Sequence, residues 1–341
     1  MKQTLLCLTL LLVVNAARGH DIHPLTSASS FFSQLLFQKI ALNETTLYCL
    51  PEYRIISLNF ILVPPTTPLL VKYTEALKVF FYTGVGKYDY VAVGGPERPI
   101  NEFVERKTLG YIPGLLPSGF ITPETSVTGI SVFYLNATWK VPFDPSKTRK
   151  HEFINVCEVG AQVELMNDIR YANVRTNVLG STVLELPFAG DRISFYAVLP
   201  DQLEGLSSLE GSLTNPNNFN QLFTELKSCY TKISIPRFKV LSKFSLRQPL
   251  EQLGITRVFS QREAELRGIS ENRLHVSQLV HSLFFEITEA GTIPVAPAPA
   301  PQPGPLNQQN PQVTFNADRP FLFFVRDKVS LQILVQGKFS G

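Results

Sequence analysis

At 341 residues, 44% of them hydrophobic and 17% charged, the chain can bury a sizeable core and has globular composition, which excludes a disordered protein. A formal net charge of +3 is too small to mark a nucleic-acid binder, and the basic run Lys147-Thr-Arg-Lys150 reads as a solvated turn.

The first segment to read is the N-terminus. Lys2, the apolar run Leu5 to Val14 and the small residues Ala16, Ala17 and Gly19 form the pattern of a secretory signal over residues 1–19. The run is too short to span a bilayer, and no later run reaches that length, so residues 20–341 are expected as a soluble, secreted, monomeric domain with no membrane partner. Removing the signal takes Cys7 and leaves Cys49, Cys157 and Cys229, an odd number that allows at most one intramolecular disulfide. Two acceptor sequons, at Asn43 and Asn136, fit secretion and also arise by chance.

Further along, Phe32, Leu35, Leu36 and Ile40 behind capping serines predict an amphipathic helix over Ser27–Ile40. Leu47–Pro51 reads as a short strand and Arg54–Val63 as a buried one stopped by Pro64-Pro65. Lys72–Phe81 has helical spacing, Gly84-Val-Gly86 reads as a turn, Tyr88–Val93 as a strand, and Pro99–Lys107 as a helix opened by proline. From Ser126 the pattern is mostly strands: Gly129–Leu135, Gln162–Met166, Thr182–Leu186, Arg192–Leu199, Lys232–Ile235, Phe284–Thr288, Phe321–Val325 and Leu331–Gly337. Helical stretches at Asn218–Lys227 and Leu246–Leu253 interrupt them. With no regular strand–helix alternation and no repeat, the fold class is α+β.

No catalytic, zinc or phosphate-binding motif stands out, so neither an enzyme nor a cofactor is expected. The five histidines are scattered, and only His20 with His23 has a metal-like spacing, beside the cleavage site; no metal is expected.

The stretch with most to say is Gly291–Pro311, where prolines at 294, 297, 299, 301, 303 and 305 remove six backbone donors and favour an exposed polyproline-II ribbon. Strand-like segments flank it, His281–Glu289 before and Val313–Val325 after. Those flanks carry a resemblance. Phe315-Asn-Ala-Asp-Arg-Pro-Phe-Leu-Phe-Phe-Val325, Ile235-Pro-Arg-Phe-Lys239, Leu250-Glu-Gln-Leu-Gly254 with Phe259 and Gly268-Ile-Ser270, Thr182-Val-Leu-Glu-Leu-Pro187, Trp139-Lys-Val-Pro-Phe-Asp-Pro145 and Pro99-Ile-Asn-Glu-Phe-Val104 resemble segments of the serpin family, over most of the chain from about Ser27.

The resemblance implies helices with a large central mixed sheet, smaller sheets and an exposed reactive-centre loop, here residues 286–314. It implies serine-type endopeptidase inhibition by insertion of the cleaved loop into the central sheet, with an extracellular serine or cysteine protease as partner. Glu289, Ala290, Gly291 and Thr292 match the loop hinge, and counting on places the scissile bond near Pro305-Leu306. Three helices of the family are missing between Pro51 and Arg54, so a heparin cofactor is not expected. At the point where the sheet opens, His281 matches the family's histidine and Ser131 stands in place of its asparagine partner; a core histidine satisfied by any nearby polar group is the plainer alternative. Each sheet carbonyl left unpaired costs about 1–3 kcal/mol, so five or six prolines would remove roughly 5–18 kcal/mol from insertion. That rivals a net folding stability of about 5–15 kcal/mol. The loop is therefore expected to insert poorly and the protein to be non-inhibitory or impaired, the alternative being a working suicide inhibitor.

Overall fold

The computed structural model describes residues 46–50, 53–155, 158–292 and 310–341. The expected export signal, the expected helix over Ser27–Ile40, Asn43, Cys157, the Cys49 side chain, most of the proline stretch and Pro305-Leu306 lie outside the described residues.

In chain order the first elements are strands β1 (Thr46–Leu50) and β2 (Tyr53–Val63), helix α1 (Val71–Phe81), strand β3 (Gly84–Lys87), helix α2 (Glu97–Lys107) and strand β4 (Val127–Ala137). Strands β5 (Arg149–Asn155), β6 (Glu158–Val178), β7 (Ser181–Pro187) and β8 (Ile193–Pro200) follow, then short helices α3 (Leu206–Ser212) and α4 (Pro216–Gln221). The chain ends with β9 (Lys227–Pro236), β10 (Phe238–Ser245), helix α5 (Arg247–Gln252), β11 (Val276–Ile287), β12 (Val313–Asn316), β13 (Phe321–Asp327) and β14 (Ile333–Phe339).

Two sheets result. One has six strands in the order β1-β2-β4-β11-β10, with β3 also on β2, and it is mixed: β2–β3 and β4–β11 are parallel, the other pairs antiparallel. The other has eight, in the order β12-β9-β6-β7-β8-β13-β14 with β5 on β6. This is the expected α+β architecture.

Period-two patterning explains the packing. Phe133 and Leu135 of β4 and Phe285 and Ile287 of β11 turn one way, into a core shared with Phe195, Phe323 and Trp139. Their neighbours Ile130, Val132 and Tyr134 turn the other way, onto Val104 of α2 and onto Ile112 and Leu116 in the segment that follows it. Asn101 fixes α2 to that segment, its Nδ2 donating to Leu116 O and its Oδ1 accepting from Leu116 N, both at 2.8 Å. Glu97 Oε1 accepts the Ile121 N–H at 2.6 Å, so the buried carboxylate anchors the helix start.

Four expectations change. Tyr88–Val93 is a turn: Asp89 Oδ1 accepts the Val91 N–H at 3.1 Å, and the Tyr88 hydroxyl reaches inward to Thr128 Oγ1 at 2.9 Å. The strand lies just before it, at Gly84–Lys87, where glycine is a packing choice and not a turn signal. The helix expected over Asn218–Lys227 covers only Pro216–Gln221, because Lys227 already opens β9 opposite Val174. Strand β10, with solvent-facing lysines at 239 and 243, is an edge strand that polar alternation concealed.

Candidate functional site

The hinge residues sit where β11 ends. Thr288 and Gly291 exchange backbone bonds, Thr288 N donating to Gly291 O at 2.7 Å and Gly291 N to Thr288 O at 3.2 Å, which makes Glu289-Ala290 the two-residue loop of a tight reversal. The reversal turns the chain antiparallel to β4, with Thr138 bridging Gly291. Trp139 N donates to Ala290 O and Phe143 N to Glu289 O, both at 2.9 Å, and the Trp139 indole donates to Thr288 O at 2.7 Å. The indole is itself held by stacking on Phe188, with ring centroids 4.5 Å apart.

Gly291 has φ +145°, and a Cβ there would lie 2.0 Å from Ala137 O, so no other residue fits. Thr292 then enters the sheet. Its N–H donates to Ala137 O at 2.8 Å, while its hydroxyl donates to Leu135 O at 2.9 Å and accepts the Ala137 N–H at 2.7 Å. The described pairing of β4 with β11 stops at Tyr134–Phe284, so Thr292 occupies the first rung of the seam that opens above it. Glu289, buried, accepts from Thr148 Oγ1 at 2.8 Å and lies 3.9 Å from Arg237.

Below the seam, His281 and Ser131 are register partners across β11 and β4. The row continues to Asn59 on β2 and Phe244 on β10. Being neighbours does not satisfy them: His281 Nδ1, Ser131 Oγ and Asn59 Oδ1 are all buried without a partner, although Asn59 Nδ2 donates to Ser57 Oγ at 3.1 Å. Burial lowers the imidazole pKa, with the Ser131 backbone opposing that shift. The serine hydroxyl makes no hydrogen bond to the imidazole.

The structure thus brings Glu289–Thr292 together with β4 and pairs Ser131 with His281. Asn136 stands apart from both, half-buried in β4 opposite Arg54. Cys229, half-buried on β9, is in no disulfide. Among the described residues no group of three acidic, cysteine or histidine side chains could hold a metal ion, and no helix is long and apolar enough to cross a membrane. Sequence reasoning missed the hinge's partners Thr148, Trp139 and Thr288. The signal available was the chain's single tryptophan at the end of a strand, a residue that when buried needs an acceptor for its N–H.

The comparisons agree with this geometry. The family model described as Serpin (serine protease inhibitor) matches residues 27–341. Plasminogen activator inhibitor 2, macrophage, from Mus musculus is 29% identical over 303 residues, 85% of this chain and 71% of that protein. Antithrombin-III from Homo sapiens is 33% identical over 245 residues, 71% of this chain and 52% of that protein, so the chain spans about half of it. The crystal structure of Serpin48, a highly specific serpin of the insect Tenebrio molitor, superposes with a TM-score of 0.75 at 25% identity, covering 98% of this chain and 89% of that one. A match over nearly the whole chain, a mixed sheet interrupted where the hinge enters it, and the hinge's own residues lead to one assignment: the chain belongs to the serpin family.

Proposed function

We propose that the protein is a secreted, monomeric serpin whose proline-rich loop engages a protease without trapping it, because the cleaved loop cannot complete insertion into the six-stranded sheet. The observation that carries this reading is the Thr292 N–H on Ala137 O. It sets the phase of any strand that continues from it down between β4 and β11. Even-numbered residues would aim their N–H at β4 and odd-numbered residues at β11.

Prolines 297, 299, 301, 303 and 305 are all odd, and only Pro294 is even. The β4 side would therefore lose one donor. The β11 side would lose five of the seven between 293 and 305, keeping only Ile293 and Val295. A strand of that kind belongs at a sheet edge, not between two neighbours. At about 1–3 kcal/mol for each unpaired carbonyl, the β11 side alone forfeits roughly 5–15 kcal/mol.

Export rests on the N-terminal apolar run, which also supports glycosylation at Asn43 and Asn136 and a disulfide state limited by three cysteines. Heparin is left out because Leu50 is followed within three residues by Tyr53 of the next strand, with no room for the family's intervening helices. The second reading, an active inhibitor cut near Pro305-Leu306, is favoured by the hinge, since Gly291 and Thr292 are seated to begin insertion. One experiment separates the two: incubate the protein with a panel of serine and cysteine proteases, resolve the products on a denaturing gel, and melt the cleaved form. Cleavage with no covalent complex and no rise in Tm is expected; a stable complex with any protease refutes the proposal.

A further inference from the structure

The closed part of the six-stranded sheet ends at one rung, where Tyr134 of β4 faces Phe284 of β11. Their ring centroids lie 6.1 Å apart on the α2 side of the sheet. The half-buried ring of Tyr111 sits against both, 5.3 Å from Tyr134 and 4.6 Å from Phe284. One side chain from outside the sheet therefore spans the two strands at the point where a new strand would have to part them.

The sequence after α2 places it there. Gly110, at φ +83°, ends the helix by donating its N–H to Glu105 O at 2.8 Å. Buried Thr108 then directs the chain onto the sheet: its hydroxyl donates to Val104 O at 2.8 Å and accepts the Ile112 N–H at 3.2 Å. Residues 111–116 continue as a strap, with Ile112 and Leu116 packed on the Ile130, Val132 and Tyr134 face of β4. Asn101 ties the strap at Leu116, and Lys243 ties it at the middle, Nζ donating to Pro113 O at 3.1 Å and to Gly114 O at 2.6 Å. Lys243 belongs to β10 and stands opposite Ser282 of β11, so the strap is fastened on both sides of the seam.

Opening the seam conflicts with this arrangement. A strand admitted between β4 and β11 moves them apart by one strand spacing, about 4.8 Å, which carries the rings of Tyr134 and Phe284 to about 10–11 Å from each other. The present distances from Tyr111 to the two rings, taken end to end, fall short of that span. Its ring must leave at least one of them.

We propose that Tyr111 is a clasp on the seam: its ring, seated on Tyr134 and Phe284 by the strap that Lys243 anchors, holds β4 to β11, and its release is a step in admitting any strand between them. The clasp acts on the opening of the sheet in the intact protein, so it stands apart from what the proline-rich loop does after cleavage. Native-state hydrogen exchange of the intact protein, read residue by residue, tests it. In Tyr111→Ala, the amides joining β4 to β11 near Tyr134 and Phe284 should exchange at least about tenfold faster than in the unsubstituted protein. The amides joining β2 to β4 at Ile56 and Leu58 should change only by any loss of global stability, measured by urea unfolding. Tyr111→Phe keeps the ring and should restore slow exchange. Lys243→Met loosens the strap from an exposed position without hollowing the core, should accelerate the same β4–β11 amides by about threefold or more, and decides should Tyr111→Ala fail to fold. Equal acceleration at both strand pairs, unchanged exchange at the seam in the folded variants, or Tyr111→Phe as fast as Tyr111→Ala overturns the clasp.

Discussion

Replacing Pro297, Pro299, Pro301, Pro303 and Pro305 with alanine restores every donor that an inserted strand would aim at β11, and leaves Pro294 untouched on the β4 side. With the net worth of a hydrogen bond at about 1 kcal/mol, five restored bonds add roughly 5 kcal/mol to the inserted state. For a large domain, about 1 kcal/mol moves Tm by roughly 2–4 °C, so the gain is on the order of 10–20 °C. The assay nicks the loop of both proteins with one protease and compares Tm before and after. The unsubstituted protein should show no rise, while the five-alanine variant should show one and should also form a covalent complex on a denaturing gel. Pro294→Ala alone returns one bond, about 1 kcal/mol, and should leave the cleaved Tm close to that of the unsubstituted protein. If Pro294→Ala proves as effective as the five together, the phase set by Thr292 on Ala137 is wrong; if the unsubstituted protein already gains stability on cleavage, the whole donor argument fails.

Other outcomes test the surrounding structure. Gly291→Ala forces a Cβ onto Ala137 O at a φ of +145°, and should cost about 2–3 kcal/mol in chemical denaturation and make the hinge more sensitive to proteolysis. Because burial lowers the folded-state pKa of His281, the unfolded chain takes up that proton first, and stability should decline as the pH falls below about 6.5. His281→Leu should flatten part of that decline in urea titrations at pH 7.5 and 5.5, with Ser131→Asn reducing it by supplying a partner; an unchanged slope in both would remove His281 from the account. Asp327 is buried against Arg192, which donates from Nη2 at 2.9 Å, and also accepts the Val329 N–H at 2.8 Å. Asp327→Asn should cost about 2 kcal/mol in thermal or urea unfolding at neutral pH by removing the buried charge that the guanidinium faces.

Much of the fold was legible in the residues. Near-continuous apolar runs in β4, β8 and β13 announce strands buried on both faces, and the motifs around Phe315–Val325 and Trp139–Pro145 carry the family before any coordinate is known. The errors fall where local chemistry is ambiguous. Glycines at 84 and 86 serve equally in a turn or under a neighbouring leucine, and lysines at 239 and 243 hide an edge strand.

By itself, the sequence determines the α+β class, the family and the shortage of backbone donors after Thr292, since patterning, motif and proline content are all properties of the chain in order. Only the tertiary structure decides which neighbour each missing donor would have served, because that depends on one hydrogen bond between residues 155 positions apart, Thr292 and Ala137. The same holds for the unmet polar row of Asn59, Ser131 and His281. Strand register, which long-range packing sets and local preference does not, brings each of them together.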